Sequence, residues 1–408
     1  MTKFLCYKLN ILVKMKGIEN MNFEQLITEK KSANNLAIVG AGNCGRELIS
    51  KLKLCNTAIE YVMDNDESLW GTLVENIYVK KITNLGNNWI YVITPASGEI
   101  KIALLKQLLN LNVEEKQIIL YDEYGYYKII YELGKTKEKL SELYKKVFSR
   151  ELNWENPTRY TEILNWEKLN VNSHLKTLLC DKIKVRAWVS DKIGEKYLIK
   201  RYNEWDSVED IDFDSLPPRF VLKLNNGSGR NIIVSDKSKF NEEEAKMLLS
   251  EWMMQNYAFC NGGYEIQYKD IEAKIICEEY LEGVAETVYD YNIYCFHGEP
   301  KYIYCIKGSH RPGGQASFYD KNWNMQEFSF GYPKDPVIAP KPEKLNEMLE
   351  LSTVLCKDFE HVRVDWYNLP DGRVLFGEMT FTSWSGLRRF KPDKYDDIFG
   401  KLIKNPLM

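Results

Sequence analysis

Apolar positions fall in short blocks through the first third of the chain and in paired or alternating blocks through its last half. Leu36-Ala37-Ile38-Val39, Ile59-Glu60-Tyr61-Val62-Met63, Trp89-Ile90-Tyr91-Val92-Ile93 and Gln117-Ile118-Ile119-Leu120 read as strands, since short apolar runs closed by turn residues suit a sheet covered on both faces. Helical runs from Arg46 to Leu52 and from Glu99 to Leu109 follow the first and third of these. Strand and helix in alternation predict a small parallel α/β domain over about 36–130. Between Tyr131 and Trp188 the spacing is helical and rich in Lys and Glu, over Lys135 to Phe148 and Asn172 to Ala187, with a break at Asn156-Pro157. From Arg219 onward the pattern changes to strand pairs. Arg219–Leu224 and Asn231–Ser235 flank a glycine-rich tip, and Lys274–Glu279 is a strand ending in acids. Asp290–Phe296 and Lys301–Ile306 flank His297-Gly298-Glu299-Pro300, and Val362–Asn368 and Arg373–Glu378 flank Asp371-Gly372. The fold class is therefore α/β followed by α+β: residues 34–130 form a Rossmann-like parallel sheet and 131–408 a second domain that includes its helical connector.

Length agrees with more than one core, because 408 residues exceed what a single core commonly holds. Lys plus Arg total 55 against 58 for Asp plus Glu, and a net charge of -3 supplies no basic field for nucleic acid. The nine cysteines include no CxxC pair and no zinc spacing, and their odd number argues against a closed disulfide framework. A reducing cytoplasm is the expected location. The apolar start, Phe4-Leu5-Cys6-Tyr7 and Ile11-Leu12-Val13, is interrupted by Lys8, Asn10 and Lys14; it falls short of the about 20 residues that span a bilayer and carries no small-residue cleavage site. Residues 1–33 read as a leader with no assigned function, and Met15 and Met21 leave the native start open.

Gly40-Ala41-Gly42-Asn43-Cys44-Gly45 lies between the first strand and its helix. Glycines there let the backbone turn sharply beside a phosphate, and the helix N-terminus offers free N–H donors. About 20 residues after the last glycine comes Asp64, placed at a strand end where an acid could accept from a ribose hydroxyl. Gly40, Gly42, Gly45 and Asp64 are thus candidate nucleotide-binding residues, with NAD among the ligands the motif could take. No hydride-transfer site follows. A domain that has lost its ligand and serves for docking fits the same pattern.

The acids near the C-terminus carry a sharper hypothesis. A two-residue Asp371-Gly372 turn sets Tyr367 opposite Phe376, Asp365 opposite Glu378 and Arg363 opposite Thr380, all on one face. Opposed carboxylates repel unless a cation lies between them. Asp365 and Glu378, with Thr380 beside them, could hold a divalent ion such as Mg²⁺, which takes one or two protein carboxylates and fills its other positions with water and phosphate oxygens. The other reading is a solvated hairpin face on which Arg363 neutralises the acids; a loop of more than two residues would also shift the register.

Upstream, Lys223 stands on a strand before Asn225-Asn226-Gly227-Ser228-Gly229-Arg230. This is no Walker A loop, but a glycine hairpin can fold over a polyphosphate with its backbone N–H groups while the lysine supplies a point charge. An ordinary β-hairpin shares the pattern. None of His174, His297, His310 and His361 has a metal-ligand spacing, and each reads as structural, except that His310-Arg311-Pro312-Gly313-Gly314 could be a mobile loop whose Arg311 clamps an acceptor carboxylate. Arg388 and Arg389 are rivals for that role.

Taken in order, the glycine hairpin with its lysine, the acidic strand exit and the paired carboxylates resemble the ATP-grasp superfamily, and most closely its TupA-like branch of teichuronopeptide and capsule biosynthesis. The resemblance covers about 150–405 and rests on Phe220-Val221-Leu222-Lys223, Asn226-Gly227-Ser228-Gly229, Glu278-Glu279-Tyr280-Leu281, Asp290-Tyr291, Phe296-His297-Gly298, Phe318-Tyr319-Asp320, Val362-Arg363-Val364-Asp365-Trp366-Tyr367 and Phe376-Gly377-Glu378-Met379-Thr380-Phe381-Thr382. It implies an ATP-grasp fold and an ATP-dependent carboxylate–amine ligase working through an acyl phosphate. Lys223 and the Asn226–Gly229 tip would contact ATP phosphates, Glu278, Glu279, Tyr280 and Leu281 would form the hinge that holds adenine and ribose, and Asp365 with Glu378 would hold Mg²⁺. Arg363 would neutralise the transferring phosphoryl group. Thr380 stands where many ATP-grasp enzymes have Asn, which weakens the case for a second metal. The branch implies a glycan precursor carrying a carboxylate, such as a hexuronic acid, an amine or amino-acid co-substrate, and work beside a polysaccharide-assembly complex. The same ATP and metal parts could instead phosphorylate a sugar, and the first domain could serve an oxidoreductase. That domain resembles the N-terminal domains of PglD-like sugar acyltransferases in its glycine turn and in Asp64-Asn65-Asp66 followed by Gly71, which implies a nucleotide sugar rather than a dinucleotide.

Overall fold

The computed structural model describes residues 19–21, 35–54, 57–95, 98–121, 123–132, 134–171, 173–281, 289–308 and 314–403. The chain divides into two compact units, Met1–Gly134 with Glu243–Met247, and Lys135–Glu242 with Leu248–Met408.

The first unit is built on β1 (Glu19–Met21), β2 (Asn35–Val39), β3 (Tyr61–Asp64), β4 (Leu73–Val74), β5 (Ile77–Lys81), β6 (Trp89–Ile93) and β7 (Ile118–Tyr121), in the spatial order β1-β7-β6-β2-β3-β5-β4. Every pairing is parallel except β4 with β5. Period-two alternation loads both faces. Leu36 and Ile38 pack with Leu48, Ile49 and Leu52 of α1 (Asn43–Leu54), while Ala37 and Val39 pack with Leu104, Leu105 and Leu108 of α2 (Gly98–Asn110). A third helix, α3 (Glu123–Glu132), follows the last strand. Two features depart from the expected outline. The segment read as a leader contributes β1, which pairs with β7. The β4–β5 hairpin, turning at Glu75 and Asn76 with φ of 49° and 63°, goes unread because its strands are short and half exposed.

The second unit begins with α4 (Thr136–Phe148), α5 (Tyr160–Asn170), α6 (His174–Cys180) and α7 (Val185–Ile193). One helix was expected over Asn172–Ala187; Asp181 divides it, because its Oδ1 accepts from the N–H groups of Ile183 and Lys184 at 2.9 and 3.3 Å and so competes with the helical ladder. Four antiparallel strands follow, β8 (Arg201–Trp205), β9 (Phe220–Leu224), β10 (Asn231–Val234) and β11 (Ile275–Glu279), in the order β10-β9-β11-β8. Phe220, Leu222 and Leu224 turn one face into a core with Leu249 of α8 (Glu242–Met254), which leaves Lys223 on the opposite face. A second antiparallel sheet runs β14-β13-β12-β16-β17, from β12 (Asp290–Phe296), β13 (Glu299–Lys307), β14 (Gln315–Asp320), β16 (His361–Asn368) and β17 (Val374–Thr380), with β15 (Ser329–Phe330) paired separately to β18 (Phe390–Lys391). On this sheet lie α9 (Leu345–Cys356), against β12, β13 and β16, and an aromatic cluster of Tyr294, Phe296, Tyr304 and Phe318 with Tyr160 of α5 and Phe399 of α10 (Lys394–Lys401).

The final hairpin reaches its register by two compensating steps. Its loop has three residues rather than two, because Leu369 N–H bonds the Arg373 carbonyl at 2.9 Å and Gly372, at φ +85°, closes the turn. Near the turn Tyr367 therefore faces Leu375, and Trp366 faces Phe376, in place of the expected Tyr367–Phe376 pair. A bulge then sets Asp365 against two residues, Gly377 and Glu378, and restores Arg363 opposite Thr380. A Cβ on Gly377 would lie 3.1 Å from the Asp365 carbonyl oxygen, so the bulge sits where no side chain crowds it.

Candidate active site

A cavity of about 680 Å³ is lined by the flap tip Gly227, Ser228 and Gly229, by Lys182 and Lys223, and by Arg363, Asp365, Glu378 and Thr380. Its charged end is built strand by strand. Arg363 and Asp365, two apart on β16, project to one side, and the guanidinium meets the carboxylate with two bonds, Nε to Oδ1 at 2.7 Å and Nη2 to Oδ2 at 2.6 Å. The same Nη2 reaches Glu378 Oε1 at 3.2 Å, and Thr380 Oγ1 donates to that oxygen at 2.9 Å. A cation does separate the opposed acids, and in this structure it is Arg363. The face is half-buried and lines the cavity.

Burial and like charge push the two carboxylates apart. Burial raises Asp365 to about 7, with Arg363 opposing and Glu378 adding to the rise. Burial also works against charge on Glu378, but Lys182, Arg363, Thr380 and Lys223 outweigh it and hold that carboxyl below its ordinary range. Asp290 and Asn292 of β12, the latter in register with Asp365, bring further oxygens to the wall. No group of three or more His, Cys, Asp or Glu side chains fit to hold a metal occurs among the described residues. Two carboxylates on the wall of this cavity suit Mg²⁺ carried in with a nucleotide better than an ion caged by protein alone.

The flap is anchored at its base and open at its tip. Asn225 donates from Nδ2 to Asp181 Oδ1 at 3.1 Å and to the Glu272 carbonyl at 3.0 Å, while its Oδ1 accepts from Lys274 N–H at 2.8 Å. Lys182 ties to the same place through N–H to the Asn225 carbonyl at 2.9 Å and Nζ to the Gly227 carbonyl, and its ammonium lies 3.6 Å from Glu378 Oε2. Asn226 is buried, and its Oδ1 has no partner.

Of the acidic strand exit, Glu278 turns inward: its Oε2 lies 2.5 Å from Lys223 Nζ and its Oε1 3.4 Å from Arg186 Nη1. Glu279 pairs with the Arg373 fork at 3.0 and 3.2 Å, Tyr280 lies 5.3 Å from the Arg219 guanidinium, and Leu281 packs with Ile199, Leu369 and Leu375. None of these four side chains lines the cavity. Arg311 lies outside the described residues. Arg388 lines the cavity, whereas Arg389 bonds Val147 O and Ser149 Oγ. His361 is structural, bonded to Glu167 at 2.9 Å. Sequence reasoning missed Lys182 and Glu265, both cavity-lining; Lys182 falls inside a stretch read as one helix and Glu265 in an unpatterned stretch between elements, and no spacing marks either.

In the first unit the glycine turn is held by its own chain. Asp64 Oδ2 accepts from Ala41 N–H at 2.7 Å and Oδ1 from Asp66 N–H at 2.9 Å. A Cβ on Gly45 would come 1.9 Å from the Gly40 carbonyl oxygen, and Gly40 adopts φ +110°, so packing alone demands both. Gly42 faces open space.

Two antiparallel sheets, a glycine flap and lysines set against paired carboxylates meet at one cavity. Residues 162–404 match the family described as TupA-like ATPgrasp, and the chain belongs to that family. It is accordingly an ATP-binding ligase of the carbon–nitrogen bond-forming kind. No curated protein matches it. Among solved structures it is similar to an L-amino acid ligase from Bacillus licheniformis (13% identity, 86% of this chain and 69% of that one, TM-score 0.33) and to a D-alanine–D-alanine ligase from Bacillus anthracis complexed with ATP (13%, 86% and 86%, TM-score 0.31). Likeness this distant adds nothing to the family match.

Proposed function

We propose that the protein activates a carboxylate with ATP and passes the acyl group to an amine, on a precursor of a capsule or other surface polysaccharide whose acceptor acid is a hexuronate. The observation that carries this reading is the convergence of Lys182, Lys223 and Arg363 with Asp365 and Glu378 under the Gly227–Gly229 tip in one cavity. Charge spread over the transferring phosphoryl group needs positioned cations and little covalent help from the protein. Lys182 and Lys223 hold phosphate oxygens, and Gly227 to Gly229 cover them with backbone N–H groups. Asp365 and Glu378 would hold Mg²⁺, which supplies charge neutralisation at the phosphates when bound. Arg363 steadies the negative charge as a substrate carboxylate oxygen bonds the γ-phosphorus and ADP departs. The amine nitrogen then displaces phosphate from the acyl carbon.

In the same reading the protein works in the cytoplasm beside the polysaccharide-assembly machinery; no helix among the described residues is long and apolar enough to cross a membrane. The first unit receives the nucleotide part of the sugar donor at Gly42, the one open glycine of its turn.

The test supplies ATP, Mg²⁺ and UDP-glucuronate with hydroxylamine and follows ADP and hydroxamate. Acid-dependent ADP release with hydroxamate is expected, and its loss by at least 100-fold in Glu378→Gln, the scale on which removing one transition-state electrostatic partner acts. A stable phosphosugar would instead identify a kinase.

A further inference from the structure

One buried carboxylate in the cavity is used by none of these steps. Glu265 is 9% exposed and lines the cavity together with Thr382 and Ser385. Thr382 lies two residues beyond Thr380, where β17 ends, and four beyond Glu378, and all three line the cavity. Glu265, bonded to Thr382, therefore stands at the Thr382 end of the cavity, and the Cα of Thr382 lies at most about 13 Å from that of Glu378.

Its two oxygens are held by hydroxyls. Ser385 Oγ donates to Oε1 at 2.6 Å, and Thr382 Oγ1 donates to Oε2. Thr382 has no choice of direction, because its own oxygen accepts from Gln267 Nε2 at 2.7 Å. Ser385 is aimed by a strained loop: Trp384 and Ser385 take φ of 53° and 51°, left-handed values that non-glycine residues adopt at a cost. Buried bonds keep the loop there, from Lys168 Nζ to the Ser385 carbonyl at 2.5 Å and from Asn165 Nδ2 to the Gly386 carbonyl at 2.8 Å. Lys168 also bonds Asn165 Oδ1 at 2.9 Å; its charge acts on Glu265 from a distance, without a direct ion pair. A carboxylate oxygen accepts more than one bond, so each Glu265 oxygen keeps a lone pair for a donor from the cavity. A buried carboxylate held by hydroxyls alone, with no directly bonded cation, invites one.

We infer that Glu265 is the residue that receives the amine co-substrate. This rests on the ligase reading and assigns it a nucleophile subsite: an ammonium N–H₃⁺ donates to Oε1 and Oε2 within reach of the acyl phosphate. In the reaction one N–H proton passes to Glu265 and frees the nitrogen lone pair. Nitrogen bonds the acyl carbon, the carbon–oxygen bond to phosphate breaks with its electrons leaving on phosphate, and the departing phosphate takes the second nitrogen proton.

The full chain with ADP and Mg²⁺ is titrated with methylammonium, and contact is read by saturation-transfer NMR; tetramethylammonium, which has no N–H to donate, is the control. Methylammonium is expected to bind, tetramethylammonium not, and Glu265→Gln to weaken methylammonium at least tenfold with unchanged melting temperature. Ser385→Ala, which only loosens the carboxylate, should weaken it less, and Glu265→Asp should restore part of it. In the amide-forming assay Glu265→Gln should reduce turnover with methylamine at least ten times more than turnover with hydroxylamine, which is neutral at pH 7 and needs no carboxylate to hold it. Equal methylammonium binding in wild type and Glu265→Gln, or binding of tetramethylammonium as tight as of methylammonium, overturns the assignment. Absence of hydroxamate in the wild type would overturn the ligase reading, while the NMR comparison still decides whether Glu265 holds an ammonium.

Discussion

Lys223 of β9 and Glu278 of β11 form an ion pair across adjacent strands, with Nζ 2.5 Å from Oε2. They are diagonal neighbours, since Ile276 is the register partner of Lys223, and diagonal residues on one face are within reach of long side chains. Arg186 completes the carboxylate's partners from α7. The pair fixes where the ammonium points, which is how a flexible lysine becomes a positioned charge, and in the proposed function that charge meets the nucleotide's phosphates.

Removing either partner should therefore act on both stability and nucleotide binding. Lys223→Met leaves Glu278 buried with only Arg186, and a cost of roughly 3 kcal/mol is expected, toward the lower end for breaking a buried pair. Glu278→Gln should cost less but raise the Kd for ATP, because Lys223 is freed to wander. A double-mutant cycle in urea denaturation, together with ATP titration of each variant, checks this; additive stability effects would show that the pair is not coupled.

The two flap glycines should respond differently to alanine. Both have positive φ, +78° at Gly227 and +76° at Gly229, but a Cβ on Gly227 would stand 2.1 Å from the Tyr257 ring while one on Gly229 meets nothing within 4 Å. Gly229→Ala should cost only the backbone term, about 1–2 kcal/mol. Gly227→Ala must also move the tip off Tyr257, so it should cost more and weaken ATP binding. Melting curves and nucleotide titrations of the two variants side by side give the answer.

In the first unit the turn glycines separate packing from ligand binding. Gly45→Ala drives a Cβ to 1.9 Å from the Gly40 carbonyl oxygen, and the unit should unfold or expand at α1. Gly42→Ala has space and should leave the stability within the narrow range of ordinary surface changes, about 0.5 kcal/mol. If the turn receives a nucleotide sugar, Gly42→Ala alone should weaken UDP-sugar binding, measured by calorimetry on the full chain. Unaltered affinity in a wild type that binds would place the ligand elsewhere.

Much of this molecule could be read from residue order, and the failures share a cause. The parallel strands at 36–39 and 89–93 are legible because both faces are covered and the runs are apolar throughout. The flap is legible because Lys223 interrupts an alternation whose other members, Phe220, Leu222 and Leu224, are all buried. The register of the last hairpin was one residue off near its turn, since Pro370 joined the loop, yet the bulge at Asp365 returned the acids to one face. Nothing in spacing marks a bulge. The hinge role of Glu278 is implied by the resemblance; its burial and two cationic partners are set by β9 and α7, remote in sequence. Lys182 reaches Gly227 and Glu378 from a break in a helix that its neighbour Asp181 creates. Such long-range convergence leaves no local signature.

The buried pair of Glu167 on α5 and His361 on β16 should give the second unit an acid-sensitive stability. Burial works against the charged carboxyl, but His361, at 2.9 Å, and then Lys176, at 3.3 Å, overcome it and hold Glu167 at about 2 against an ordinary 4.5. A depressed folded-state value stabilises the fold wherever the unfolded carboxyl is already ionised, so the contribution is complete above about pH 5. It is lost as pH falls from about 4.5 toward 2, where the folded carboxylate is finally protonated. The difference of roughly 2.5 units corresponds to about 3 kcal/mol at most. Glu167→Gln should therefore lower stability at pH 7 and flatten the stability profile between pH 5 and 2. Urea midpoints of both proteins across that interval test the sign: a wild type that gains stability on acidification relative to the variant would contradict the assignment of the pair.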